Sequence, residues 1–258
     1  MQTVAEALAL ARTLGLERLD AQLIVAWQLG QSRTWVIAHD DTALAPPLAA
    51  ALRDAFARRA DAEPLAYLTG EKEFHGLLLE VDPNVLVPRP DTEVLVDWAI
   101  ELLTGHAGAS VVDLGTGSGA IALAVKHACP DAVLLATDVS PAALAVARAN
   151  AQRLALDVGF APGPWWAATG EQRFDLALSN PPYIAGDDAH LPALRHEPLA
   201  ALTPGGDGLD ALRAIVFGAA DHLRPGAWLL LEHGHDQADA VQTLLRAAGF
   251  DAIATRAD

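Results

Sequence analysis

Val111-Val112-Asp113-Leu114-Gly115-Thr116-Gly117-Ser118-Gly119-Ala120 passes from an apolar, β-branched run through three alternating glycines into a stretch with helical spacing. It reads as a buried strand, a tight turn and a helix start. Glycines there let a ligand reach the backbone, and the first N–H groups of a helix have no partner inside it, so the turn suits a nucleotide-like cofactor. Gly115-x-Gly117-x-x-Ala120 also fits the dinucleotide fingerprint, so the glycines alone leave the cofactor class open. Two acids narrow it. Asp138 follows roughly 20 residues later at the end of a second apolar run, where a carboxylate accepts from ribose hydroxyls. Asp113, before the turn, would repel a pyrophosphate and attract a cation, which favours a sulfonium cofactor.

Toward the C-terminus the strand, turn and helix alternation repeats, as in a parallel sheet covered on both faces. Strands are expected at 110–113, 133–137, 156–160, 175–179 and 228–232, and helices at 120–127, 141–154, 208–223 and 237–248, with a sixth strand starting at Asp251. Toward the N-terminus, a helix capped by Asp91 or Thr92 runs to about Leu103. Before it, Phe74 to Val81 and Val85 to Val87 flank Asp82-Pro83-Asn84, a turn signal that predicts a β-hairpin. From Thr3 to Leu68 apolar residues recur at three and four among alanine, leucine and arginine, predicting a helical bundle with helices at 3–14, 19–29, 32–38 and 46–60 and a last turn at 64–68. The expected organisation is α/β: a doubly wound, Rossmann-like sheet in residues 89–258, preceded by a helical bundle in 1–72 and a linking β-hairpin in 73–88. The bundle offers no catalytic constellation, which leaves it the binding of a macromolecule.

The 258 residues are 52% hydrophobic and 19% charged, enough apolar surface for a core and too much for a disordered chain. One cysteine, Cys129, excludes an intramolecular disulfide and a multi-thiolate zinc site, and points to a reducing compartment, the cytoplasm. No apolar run approaches a membrane span. Lys and Arg number 17 against 33 Asp and Glu, a formal charge of -16 that disfavours direct nucleic-acid binding. His233-x-His235-Asp236 lacks a further ligand at useful spacing, so no metal is expected.

Ser179-Asn180-Pro181-Pro182-Tyr183 carries the chemistry. It falls where the fourth strand ends beside the glycine turn. Methylating a planar NH2 group is difficult because its lone pair is delocalised. Two acceptors that take both N–H hydrogens localise that pair: the Asn180 side-chain oxygen and the Pro181 carbonyl, held by the stiff Pro-Pro geometry. Both bonds strengthen as the nitrogen becomes positive, so they favour the transition state over the ground state. Tyr183 is expected to pack its ring on the planar target group.

These motifs together resemble the class I S-adenosylmethionine-dependent methyltransferases, and within them the release-factor glutamine N5-methyltransferases. The resemblance covers nearly the whole chain. It adds Leu68-Thr69-Gly70 with Glu73-Phe74, Val87-Pro88-Arg89-Pro90-Asp91-Thr92-Glu93, His196-Glu197-Pro198-Leu199 and Leu231-Glu232-His233-Gly234 to the glycine turn and the Asn-Pro-Pro-Tyr run. It implies S-adenosyl-L-methionine as cofactor, bound by Asp113, Gly115, Thr116, Gly117, Ser118, Gly119, Asp138, Trp165 and Asn180. It implies as substrate the glutamine of the Gly-Gly-Gln motif in class 1 peptide-chain release factors, bound by Asn180, Pro181, Pro182 and Tyr183 with Arg89 behind them. Where the family carries an acid before its adenine-flanking tryptophan, Pro164 precedes Trp165, so stacking is expected to carry adenine recognition. The motifs shared with DNA and RNA adenine N6-methyltransferases make that activity the alternative. Glu197 and Glu232 match in motif but acquire no role from it.

Overall fold

A computed structural model describes residues 1–257, which fall into two compact units, Met1 to Glu71 and Lys72 onward. The first is helical: α1 (Val4–Thr13), α2 (Arg18–Leu29), α3 (Arg33–Ala38), α4 (Pro46–Ala60) and α5 (Leu65–Thr69). Local signals set its boundaries. Thr3 Oγ1 accepts from the Glu6 N–H, Ser32 from the Trp35 N–H, and Pro46 opens α4 where its missing N–H costs nothing. The faces of α1, α2 and α4 bury Val4, Ala7, Ile24, Val25, Leu52 and Phe56 in one core. His39 closes α3 with its ring stacked 4.4 Å from that of Trp35.

A hairpin of β1 (Glu71–Phe74) and β2 (Leu77–Glu80) follows. Its turn is His75-Gly76, with φ of 48° and 77°, not Asp82-Pro83-Asn84 as expected. Two positive φ values match the twist of a two-residue hairpin. Asp82 does form a turn, accepting from the Asn84 N–H at 2.8 Å, but Val85 to Val87 pair with no strand. The Val87 N–H goes instead to the Glu197 carboxylate at 3.0 Å. Phe74, Leu77 and Leu79 belong to the main core of the second unit.

After α6 (Glu93–Leu103), the chain alternates β3 (Ser110–Leu114), α7 (Ala120–Ala128), β4 (Val133–Asp138), α8 (Pro141–Leu154), β5 (Gly159–Pro162) and β6 (Phe174–Ser179). It ends with α9 (Leu199–Leu202), α10 (Asp210–His222), β7 (Leu223–Leu231) and α11 (Ala238–Ala247). The sheet order is β5-β4-β3-β6-β7, every pair parallel. Successive strand residues face opposite layers. Val111, Leu176 and Leu178 join the core with α6 and α7, whereas Val112, Leu114 and Ala177 join the one with Trp166 and α10. The order reverses at β3, which opens a crevice at the carboxyl ends of β3 and β6.

Two strand expectations are corrected. β5 begins at Gly159 rather than near Leu156, because Ala155 adopts φ 54° and the Leu156 N–H folds back to the Ala151 carbonyl, closing α8. No sixth strand forms from Asp251 among the described residues. There Arg256 lies 4.4 Å over the Trp98 ring and pairs with Glu101 at 2.6 Å, holding the segment on α6.

Candidate active site

The crevice holds a cleft of about 300 Å³. Its floor is the glycine turn. The N–H groups of Gly115 and Thr116 donate to the Thr137 carbonyl at 2.9 and 2.8 Å, and the Gly117 N–H donates to Asp138 Oδ2 at 2.9 Å. Asp138 also accepts from the Ser140 N–H at 2.8 Å, so one carboxylate fixes the turn to the start of α8 and keeps lone pairs for a ligand. At Gly115 φ is +76°, and a Cβ would lie 3.1 Å from the Trp165 ring, so a side chain there would be strained and would press on that ring. Thr116, Ser118, Asp138 and Trp165 all line the cleft. Gly119 does not. With φ +85° and Ala147 Cβ 3.3 Å from where its own Cβ would stand, it serves the packing of α7 against α8.

Asp113 also fails to reach the cleft. It shares the face of Val111, which α7 covers, so the alternation along β3 turns it inward and its residue is 0% exposed. Oδ2 accepts from Thr116 Oγ1 at 2.6 Å and from the Ala122 N–H at 3.3 Å, while the buried Oδ1 bonds to none of the described residues. Burial pushes its pKa up to about 7, against those two hydrogen bonds. Because the folded value lies above the unfolded one, the native state keeps the proton that the unfolded chain has already released. Stability is therefore expected to fall as pH rises from about 4 to about 7, by up to ~1.4 kcal/mol per unit from this group. Urea unfolding at pH 5 and 7 checks this: Asp113→Asn should flatten the slope, and an unchanged slope refutes it.

The Asn-Pro-Pro-Tyr run leaves β6 where Ser179 Oγ donates to the Leu114 carbonyl at 2.6 Å, tying the β6 end to the β3 end. Asn180 and Pro182 line the cleft, and Pro181 and Tyr183 do not. Asn180 Nδ2 donates to Thr92 Oγ1 at 3.1 Å. The Tyr183 hydroxyl donates to Glu232 Oε1 at 3.1 Å, and its carbonyl accepts from Gln237 Nε2 at 2.9 Å. Burial and the neighbouring Glu232 carboxylate raise the Tyr183 pKa, so it remains a donor at neutral pH. Glu232 is itself pushed up by burial, opposed by the Tyr183 hydroxyl bonded to it and by the polar groups of Thr92 and Asn180 nearby. Arg89 lines the cleft and donates to the buried Glu197 carboxylate.

Three of these contacts were not readable from motifs. Thr92 was expected only as a helix cap, and Glu197 and Glu232 had no partner. The fourth missed residue is Asn150, wholly buried: its Nδ2 donates to the Glu80 and Ser118 carbonyls at 2.9 and 3.0 Å, and its Oδ1 accepts from the Glu80 N–H at 2.7 Å. It joins the hairpin to the glycine turn. A polar residue on the apolar face of an alanine-rich helix was the available signal.

The lining suits a nucleoside, while the burial of Asp113 removes the carboxylate that was expected to meet a cation there. The carboxylate at Asp138 has acceptor capacity for a diol, the Trp165 ring closes over Gly115, and Phe74, Leu86 and Ile121 supply apolar wall. Among the described residues no three His, Cys, Asp or Glu side chains gather to hold a metal, and no helix is long and apolar enough to cross a membrane.

Comparison with known proteins bears on this site. The family described as "Methyltransferase small domain" matches residues 92–208, and "PrmC N-terminal domain" matches residues 2–70. A release factor glutamine methyltransferase from Bordetella pertussis is 51% identical over 95% of this chain and 92% of its own length. One from Burkholderia pseudomallei is 49% identical over 98% and 92%. Among solved structures, a ribosomal protein L11 methylase from Lactobacillus delbrueckii subsp. bulgaricus shares the fold with a TM-score of 0.51, at 21% identity over 69% of this chain and 79% of that one.

Proposed function

This chain belongs to the release factor glutamine methyltransferase family, and from that premise we propose that it methylates the side-chain amide nitrogen of the Gly-Gly-Gln glutamine in class 1 peptide-chain release factors, with S-adenosyl-L-methionine as donor. The observation that carries the assignment is Asn180 in the wall of the cleft floored by the glycine turn, with its amide NH2 already engaged by Thr92. That leaves Oδ1 as the free acceptor.

When bound, the cofactor supplies an electrophilic methyl group on a sulfonium sulfur. Asp138 would hold the ribose hydroxyls and Trp165 the adenine, with the Gly115 to Ser118 turn at the floor; all of them line the cleft. Asn180 Oδ1 and the Pro181 carbonyl would accept hydrogen bonds from both N–H groups of the glutamine amide and aim its nitrogen along the transfer line; as that nitrogen gains the methyl group it gives up one of the two protons to solvent. Because both acceptors meet more positive charge in the transition state, each stabilises it by about 1–3 kcal/mol beyond what it does for the substrate. Alignment contributes more, up to roughly 7–11 kcal/mol in favourable geometries. Asp113 acts from below, as the cap that sets the turn. The helical unit grips the release factor, and the reaction takes place in the cytoplasm.

Incubation with labelled cofactor and a release factor should label the intact protein and not its Gln-to-Ala Gly-Gly-Gln variant. Equal incorporation into both, or transfer to a bare adenine-containing oligonucleotide in their place, would overturn the proposal. The charge of -16 makes the oligonucleotide arm the weaker competitor.

A further inference from the structure

The Asn180 amide has two ends, and only one can serve the reaction. Turned the other way, it would present NH2 to an incoming NH2 group. Thr92 cannot decide the matter alone, because a hydroxyl both donates and accepts. The deciding group has to be one that only accepts. Such a group stands behind the cleft wall: the Glu232 N–H donates to the Ser179 carbonyl at 3.0 Å, so Glu232 and Asn180 follow one another across the ends of β7 and β6. Its Oε1 takes the Tyr183 hydroxyl at 3.1 Å, and its buried Oε2 makes no hydrogen bond of ordinary geometry among the described residues. A buried, half-satisfied carboxylate costs stability, so its retention calls for a reason in function.

Resting on the proposed amide methylation, we propose that Glu232 is a positioning residue: as an acceptor-only group facing Thr92, Tyr183 and Asn180, it fixes the donor end of the Asn180 amide inward and the acceptor end toward the substrate. Thr92 Oγ1 accepts from Asn180 Nδ2, and with Glu232 as the acceptor nearby its own proton would be directed there, which keeps a lone pair for the amide. Tyr183, held by the same carboxylate, keeps the following residue of the loop in place. A neutral amide at position 232 has a donor of its own, so it can reverse the order of the chain and turn Asn180 over.

The test is a double-mutant cycle. Glu232→Gln is expected to lower kcat for the release factor by ~10–100-fold, the loss of about one to two charge-assisted bonds' discrimination, with little change in cofactor binding. In an Asn180→Ala background the same change should have little further effect, because there is no amide left to orient. Thr92→Ser, which keeps the hydroxyl, should retain more activity than Thr92→Val. Thermal unfolding of each variant separates misfolding from misorientation. Full additivity of Glu232→Gln with Asn180→Ala, or no effect of Glu232→Gln on kcat, overturns the assignment and leaves the methylation reading intact. Absence of glutamine-dependent labelling by the unaltered protein removes both.

Discussion

Asn180→Ala is expected to reduce kcat for release factor methylation by about 10–10²-fold, as the loss of one acceptor worth about 1–3 kcal/mol in the transition state requires. The substitution deletes the acceptor that gathers one amide hydrogen, so the nitrogen lone pair returns to the carbonyl and the attacking atom loses its aim. Binding should change far less. The glycine turn, Asp138 and Trp165 are untouched, and Asn180 is only one of several residues around the cleft. The fold should tolerate the change, because Asn180 is half-buried and the Thr92 hydroxyl that accepts from it lines the cleft. Single-turnover transfer under saturating cofactor, with isothermal titration of the cofactor alongside, separates the two quantities. A loss of kcat under fivefold with the fold intact, or a loss confined to cofactor affinity, would mean that the side-chain oxygen is not an acceptor for the reacting nitrogen.

The parts of this site that were legible in the sequence are those built from neighbours in the chain. The turn after β3 announces itself because glycines, a β-branched run and an alanine-rich helix stand side by side. The Asn-Pro-Pro-Tyr run is likewise a single tetrapeptide. The hairpin was misplaced because Asp82-Pro83-Asn84 is a stronger local turn signal than His75-Gly76, where a non-glycine residue takes φ 48°. Only the burial of Phe74, Leu77 and Leu79 on one side resolves that competition, and burial is a property of the assembled core. Asp113 is instructive in another way. Its parity with Val111 places it in the layer under α7, where it accepts from the Ala122 N–H, and that parity is legible in the alternation along the strand. Glu197 and Glu232 were opaque for a plainer reason. Their partners Val87, Arg89, Thr92 and Tyr183 come from distant segments, and no spacing rule reaches across a doubly wound sheet.

Removing the Arg89 guanidinium should produce the largest loss of stability. Glu197 presents a carboxylate whose side chain is 2% exposed, with Oε1 held by Arg89 and Oε2 by the Val87 N–H. Arg89 is 36% exposed, so the two partners are not equivalent. Arg89→Ala strands a buried charge, which costs about 3–5 kcal/mol when no other group compensates it; the surviving Val87 bond places the value at the lower end, about 3 kcal/mol. For a unit of this size that corresponds to a fall in Tm of roughly 6–12 °C. Glu197→Gln asks much less, since the amide oxygen still accepts from Val87 and the arginine reaches water. The double variant should therefore be more stable than Arg89→Ala alone, a sign that no substrate-binding role for Arg89 predicts. The ion pair joins the segment before α6 to Glu197, and directly after Glu197 the chain forms the cleft wall at Pro198, Ala200 and Ala201. Loosening it should raise KM for cofactor through that wall, and Glu197→Gln should recover part of the KM together with the Tm. If Arg89→Ala raised KM for the release factor while leaving Tm unchanged, the guanidinium would have to be a direct contact for the substrate, and Glu197 merely the group that aims it.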